Sequence, residues 1–462
     1  MVTPTITQQL AGFLMSLAYE DIPSSTRERC IDLLIDHLAV SIAGRKLPWT
    51  QILLKYAQEQ NASGPSLIYG AHRTSADLAA LVNGTMAHGI ELDDTHEASV
   101  SHPGAVVFAA VLAIAQERKS TPQETIVAII TGYEAMGRIG AAFDPDFMAR
   151  GWHPTANHGV FGACAGVAKL LGLSGAELNI AWGIATSLHS GSMAFTEDAM
   201  GTMVKRLHAG WPAHSGVVAA KLARLGFTGP RETLDRPRGY VATNSSSADK
   251  DKILENLGQR WIVDEISIKP YACCRLFHSA IDAIKYLKAH NSFSVDDILA
   301  VKAYGSRHMI SGHMEYRPES VMSAQYSLPF SLAVALCADA GDPTQFGESR
   351  LRSSVLLNVA DAISGVVSDE LDRLFPQKYA GSITINLRDG RTLTHTIQDC
   401  SGSAANPLHR PEIKDKFLLL TAGHISTGQQ VAILECVESL LSTSDIYSLS
   451  ALLEDSHETQ QQ

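Results

Sequence analysis

The chain has 462 residues, is 45% hydrophobic and 18% charged, and carries a formal charge of −11. That composition suits a globular protein with a large core, and the acidic balance argues against a nucleic acid or an anionic membrane as partner, because both need a basic face. No run reaches the ~18 uninterrupted apolar residues of a membrane span, and the N-terminal Met-Val-Thr-Pro-Thr-Ile-Thr lacks the basic start of a signal peptide.

From about residue 5 to 260 the pattern predicts helices. Pro23-Ser24-Ser25-Thr26 opens a periodic stretch that stops near Gly44. Ala, Gly and Ser crowd residues 104–116, 156–172, 180–194 and 213–225, so these segments predict closely packed, buried helices. The character changes after about Asp264. Strands are expected at Ile298–Ala303, Ser382–Leu387 and Thr392–Ile397, the last two joined by the hairpin signal Arg388-Asp389-Gly390-Arg391. Helices are expected at 277–290, 323–340, 349–363 and 367–374. Ser401–Pro407 reads as a linker, 411–454 as a helical tail that can return to the first domain, and the final Glu-Thr-Gln-Gln-Gln as frayed. The expected fold is therefore mainly α. A large all-helical domain (1–265 with 405–462) is joined to a smaller α+β domain (266–404).

The seven cysteines are odd in number and include no C-x-x-C pair, which indicates neither a disulfide framework nor a zinc knuckle and suits a reducing, cytoplasmic compartment. Neither a P-loop nor a complete dinucleotide fingerprint is present, so no cofactor is expected.

Four segments keep polar groups that packing does not require. His102-Pro103 and His153-Pro154 each place an imidazole at the start of an apolar helix, where unpaired N–H groups and the helix dipole favour an anion. The stretch His88-Gly-Ile-Glu91-Leu-Asp93-Asp94-Thr95-His96 precedes the first of these. It reads equally as a capping loop or as a functional cluster, with a metal site on His88, Asp93, Asp94 and His96 the weaker alternative. Around the second, Trp152 can pack while His153 stays half exposed, or His153 can serve a site. Lys205 and His208 are three apart and share a helix face, either a solvated basic face or a proton-transfer pair. Ile266-Ser-Ile-Lys269-Pro-Tyr-Ala-Cys273-Cys274-Arg275-Leu-Phe-His278 opens the second domain, with both cysteines read as packing residues.

In this order the segments resemble the MmgE/PrpD superfamily. The resemblance rests on Asn83-Gly-Thr-Met-Ala-His88…Glu91-Leu-Asp-Asp-Thr95…His102-Pro, Gly-Trp-His153-Pro-Thr, Met-Val-Lys205-Arg-Leu-His208-x-Gly and Ile-Lys269-x-Tyr-x-x-Cys, with Ala324-Gln-Tyr326-Ser-Leu-Pro-Phe and Asn406-Pro-Leu. It implies a helical body, an α+β lid, a site between them, a homodimer and no required metal. It also implies a lyase acting on a small di- or tricarboxylate. The leading activity is decarboxylation of cis-aconitate to itaconate. Dehydration of the 2-methylcitrate type and epimerisation are the alternatives, and a metal-dependent hydrolase is more distant. The Met-Val-Lys-Arg and Tyr-Ala-Cys-Cys stretches are nearer to fungal than to animal cis-aconitate decarboxylases. Carried over to this chain, the site contains His102, Lys205, His153 and Tyr326 as catalytic groups. Asp93 (or Glu91), Thr95, Lys269, His208 and His278 bind substrate. Cys274 stands where the animal enzymes have a histidine, and either it or His278 takes that place.

Overall fold

The computed structural model describes residues 3–143, 146–197, 202–442 and 446–454, so Gly201 and the C-terminal Glu-Thr-Gln-Gln-Gln lie outside the described residues. The chain is mainly α, with a small α+β portion. The first part runs through α1 (Ile6–Ser16), α2 (Ser24–Gly44), α3 (Pro48–Glu59), a two-stranded hairpin of β1 (Ser66–Leu67) and β2 (Arg73–Thr74), and α4 (Ala76–Ala87). It continues through α5 (Pro103–Arg118), α6 (Pro122–Ala141), α7 (Pro154–Leu171), α8 (Gly175–Ala185) and α9 (Val204–Arg224). Proline opens α5, α6 and α7, and Thr5, Thr121 and Ser174 cap α1, α6 and α8 in reciprocal boxes with Gln8, Glu124 and Glu177. Every residue of α5 from Pro103 to Gln116 is buried, so this helix runs through the middle of the body. The small residues have a geometric task. A Cβ on Gly84 of α4 would come within 2.9 Å of Gly210 Cα on α9, so those helices cross backbone to backbone.

The α+β portion carries α10 (His278–His290), β3 (Ile298–Gly305), α11 (Val321–Gln325), α12 (Leu328–Cys337), α13 (Ser354–Asp361), β4 (Ile363–Val367), β5 (Gly381–Leu387) and β6 (Thr392–Ile397). Its sheet has the order β4-β3-β5-β6. β3 and β4 are parallel with Val301 opposite Ile363, and the remaining pairs are antiparallel, with Val301 opposite Ile385 and Gly381 opposite Ile397. Val301, Ala303, Ile383 and Ile385 form the buried face, against which α10 packs.

Several expected boundaries change. The run 180–194 is helical only to Ala185 and then becomes loop, with a 3₁₀ turn at Met193–Thr196. The expected helix 323–340 breaks after Gln325, because the Ser327 hydroxyl caps the following helix by accepting from Phe330 N at 3.0 Å. The stretch 349–363 ends as helix at Asp361, and the β-branched Ile363, Val366 and Val367 instead form β4, which periodicity alone did not reveal. Only Asp369–Asp372 of 367–374 is helical. Among the described residues no helix is long and apolar enough to cross a membrane.

The C-terminal segment contributes α14 (Arg410–Thr421), α15 (Thr427–Glu438) and α16 (Tyr447–Leu453). Helix α14 lies along α2, with Arg410 Nε 2.6 Å from Asp32 Oδ1 and Lys416 Nζ 2.5 Å from Asp36 Oδ1. Lys416 also donates to the carbonyl of Leu92 at 2.8 Å, bracing the 88–96 loop from behind. Asp36 and Lys416 are both buried. Lys416→Ala strands the carboxylate, and we expect a loss of about 3–5 kcal/mol, read as a fall in thermal midpoint. Asp36→Asn/Lys416→Met should recover most of it. A single variant within 1 kcal/mol of wild type would contradict the pairing.

Candidate active site

The loop between α4 and α5 organises a buried polar cluster. Glu91 has φ +59°, a left-handed conformation that a non-glycine residue rarely adopts. Its carboxylate, 1% exposed, accepts from Lys205 Nζ and Arg206 Nη1 of α9. Lys269 Nζ lies 3.6 Å from the second oxygen and donates to the Glu91 carbonyl at 2.8 Å. The Tyr326 hydroxyl, at the end of α11, donates to the same carboxylate at 3.4 Å, and its ring lies under Lys205 with Nζ 5.3 Å from the centroid. Gln325 ties these parts together. Its Nε2 donates to Ile90 O at 3.0 Å and Ala272 O at 3.1 Å, and its Oε1 accepts from Arg206 at 3.1 Å.

A row of imidazoles borders this group. His102 and His153 are the N-caps of α5 and α7, and the two helix starts are joined, because His102 N–H donates to Thr155 Oγ1 at 3.1 Å. The His88 ring lies 4.9 Å from that of His102 and 6.2 Å from that of His153, and His153 lies 4.9 Å from His208. The His153 and His208 Nδ1 atoms are 3.1 Å apart, so one donates while the other accepts. Asp93 Oδ2 accepts from His88 Nδ1 at 2.6 Å and lies 3.4 Å from His102 Nδ1. Thr95 exchanges two 2.8 Å backbone bonds with Ser267, an isolated bridge that sets the extended segment leading to Lys269. Among the described residues, His88 Nε2, Asp93 Oδ1 and Thr95 Oγ1 are buried without hydrogen-bond partners. A polar ligand would satisfy such groups.

The sequence-derived residues His102, His153, Lys205, His208, Asp93, Lys269 and Tyr326 are thus brought together, with Thr95 at the edge. Lys205 is 1% and His153 7% exposed, which overturns a solvated basic face for the first and a half-exposed imidazole for the second. His278 does not join them through its hydrogen bonds. It contacts Arg275 Nη1 at 3.1 Å and Cys273 O at 3.3 Å and packs on Tyr271. His278 still feels the charge of Lys269, and Cys274 feels those of Lys269, Glu91 and Lys205; burial pushes the Cys274 thiol up to about 11, so it is a neutral thiol. Arg206 and Gln325 were not singled out in the sequence. Their neighbours Lys205 and Tyr326 were, and only the fold shows that their own side chains turn into the same cluster. His88, Asp93 and His102 could hold a metal ion, since one ligand atom from each falls within 4.8 Å of the others. His96 and Asp94 turn elsewhere, to Ser99 and Glu265 and to Tyr133 and Gly104 respectively.

Three cations meet the one carboxylate of Glu91, while Asp93 faces His88 and His102, so positive charge exceeds negative in the cluster. Burial alone would raise the Glu91 carboxyl, but Lys205, Lys269 and Arg206 hold it well below the carboxylate range. Burial lowers Lys205, and Arg206 and Lys269 add to this against the pull of Glu91. Burial pushes His102 down to about 3 and His208 to about 4, and lowers His88 and His153. His37, His158 and His278 are lowered in the same way. A base with a lowered folded pKa takes up protons in the unfolded chain first. Its contribution to stability is therefore complete above pH ~6.5 and is lost as pH falls, at up to ~1.4 kcal/mol per unit for each imidazole. Glu91 acts in the same direction below pH ~4.3. The raised Asp36, Asp94 and Glu134 oppose this but are fewer. The urea midpoint should fall steeply from pH 7 to pH 5, and a flat or rising midpoint would contradict the buried neutral imidazoles.

Comparison with known proteins bears on the family of the chain. The MmgE/PrpD N-terminal domain model matches residues 8–252 and the C-terminal domain model residues 271–441. Among curated proteins, the chain is 28% identical to the cis-aconitate decarboxylase-like protein oryM of Aspergillus oryzae over 97% of both chains. It is 27% identical to a cis-aconitate decarboxylase of Aspergillus terreus, covering 97% of this chain and 95% of that one. The human cis-aconitate decarboxylase is 24% identical, with 98% and 95% covered. The chain belongs to the MmgE/PrpD family and is an enzyme of the lyase class.

Proposed function

We propose that this enzyme decarboxylates cis-aconitate to itaconate without a metal or an organic cofactor. The observation that carries the reading is the convergence of Lys205, Arg206 and Lys269 on one buried carboxylate, beside two helix starts that bear histidines. Such an excess of buried positive charge suits a polycarboxylate. The relatives that share the chain's full length support the same choice.

In this reaction the bond between the methylene carbon and its carboxylate breaks and releases CO2. The freed electron pair forms the new terminal double bond. The pair of the old double bond moves onto the carbon beside a second carboxylate, as an enediolate, and one proton added there completes the product. The chain must bind the carboxylates that remain, stabilise the enediolate and deliver that proton. Lys269, Arg206, Tyr326 and His153 bind carboxylates, with Lys269 placed to meet the developing charge. Lys205, as an ammonium, delivers the proton, and the bare Nε2 of His102 takes up a proton from water and returns it to Lys205. Asp93 orients His88 and His102, and His208 supports His153. The cluster is buried, so substrate entry requires the protein to open, and a site closed again over the substrate excludes water from the carboxylate that leaves. A groove of about 460 Å³ in the α+β portion, lined by Ile281, Lys285, Lys288 and Asp339, holds none of these residues.

One observation favours a second reading, a dehydratase of the 2-methylcitrate type or an epimerase. His102 is neutral, as a base that abstracts a proton must be. NMR of the purified protein with cis-aconitate in D2O separates the two. We expect the paired vinylic signals of itaconate with one deuterium on its saturated carbon, and Lys205→Ala should lose ~10²-fold to 10⁴-fold in rate while its thermal midpoint holds. Inert cis-aconitate with turnover of 2-methylcitrate would favour the second reading. Dialysis against a chelator should leave turnover unchanged. Loss restored by one divalent ion would contradict the metal-free reading and direct attention to His88, Asp93 and His102.

The family resemblance and the apolar Val204 and Trp211 exposed along α9 support a homodimer, and the free cysteines suit a cytoplasmic enzyme. Sedimentation should give about twice the 49.7 kDa of one chain, and a single-chain mass at micromolar concentration would contradict the dimer.

A further inference from the structure

We infer that Asp94 is a positioning residue that fixes the tautomer of His102, so that only Nε2 of that ring can take up and return a proton during turnover. The inference rests on the proposed proton-transfer role of His102 and deepens it.

The backbone carbonyl of Asp94 lies 2.9 Å from His102 Nδ1. A carbonyl oxygen only accepts, so Nδ1 carries the proton in this contact. Asp93 Oδ2, 3.4 Å from the same nitrogen, is also an acceptor and reinforces that choice. In the neutral ring the proton is then absent from Nε2, which makes no hydrogen bond among the described residues. His102 thus has one nitrogen committed to the backbone and one open to a reacting group.

The carbonyl can hold this position because the Asp94 side chain is anchored on the other side. Its Oδ1 accepts from Gly104 N at 2.8 Å, within the first turn of α5, and its Oδ2 accepts from Tyr133 Oη of α6 at 2.6 Å. His102 is the N-cap of that same α5. One residue therefore pins the helix that carries the imidazole through its carboxylate, and the imidazole itself through its carbonyl. The approach is close: a Cβ on Gly104 would come within 2.7 Å of Asp94 Oδ2 and of Tyr133 Oη. All three residues are buried, and neither Asp94 nor Tyr133 touches Glu91, Lys205 or Lys269 through a hydrogen bond. Their effect on the chemistry passes through His102.

The test uses full-length protein labelled with ¹⁵N at histidine, without substrate, and the His102 signals are assigned by their loss in His102→Gln. Wild type should show the neutral Nδ1–H form. Asp94→Ala should shift His102 to the Nε2–H form or to a mixture. Its kcat should fall ~10-fold to 100-fold with KM changed less than ~3-fold. Asp94→Asn keeps an oxygen for Gly104 N and should restore both the tautomer and most of kcat. Tyr133→Phe should weaken the preference in the same sense and decides the matter if Asp94→Ala does not fold. A His102 signature that stays Nδ1–H in Asp94→Ala, or in Tyr133→Phe where that is the variant available, overturns the inference. An Nδ1–H signature in a wild type that does not turn over cis-aconitate overturns the proposed reaction and leaves the positioning role standing.

Discussion

A single buried carboxylate, that of Glu91, makes the rest of the site possible. Lys205, Arg206 and Lys269 are each at most 2% exposed, and three cations cannot be buried together without a counter-charge. Glu91 supplies it, from a backbone conformation that its neighbours must enforce. Lys269 holds its carbonyl, His88 and Asp93 lock the turn that follows, and Lys416 holds Leu92 from behind. The same carboxylate joins the two parts of the molecule, because Lys205 and Arg206 come from the helical body while Tyr326 comes from the α+β portion. The contact between the two portions is therefore also a contact within the site.

The histidines need a different environment, and the fold separates the two kinds of group. The cations gather at Glu91, whereas His102 and His153 stand at helix starts with nearby lysines and buried walls that keep them neutral. A polyanion entering this space meets positive charge on one side and proton acceptors on the other. On the proposed reaction, that division is how an acidic protein would recognise an acidic substrate. The charge that counts is local and buried, and the net charge of the surface does not enter.

Much of this was legible in the sequence where the signal is local. Proline after histidine marked two helix starts, and the i, i+3 spacing of Lys205 and His208 marked one face of a helix in small-residue surroundings. The hairpin of β5 and β6 followed from Asp-Gly between alternating runs. What the sequence could not show is long-range. Glu91 was only an alternative to Asp93, because its role depends on residues more than a hundred positions away. Gln325 and Arg206 looked ordinary until α9 and α11 were brought side by side. His278 and Cys274 stood as alternatives for one position, and only the fold shows that His278 bonds to Arg275 and the Cys273 carbonyl while both feel the charge of Lys269. The strand β4 was hidden by an apolar run that fits a helix equally well, and it became a strand only because β3 had an open edge to pair with.

The central claim is that the cluster around Glu91 is a carboxylate site poised over the neutral face of His102. A crystal structure of the protein with cis-aconitate, or with a slow tricarboxylate analogue, tests it most directly. The account predicts carboxylate oxygens within hydrogen-bond distance of Lys269 and of Lys205 or Arg206, with the reacting carbon facing Lys205 and Nε2 of His102. A ligand bound elsewhere, with the Glu91 cluster unchanged and His102 facing no part of it, would contradict it.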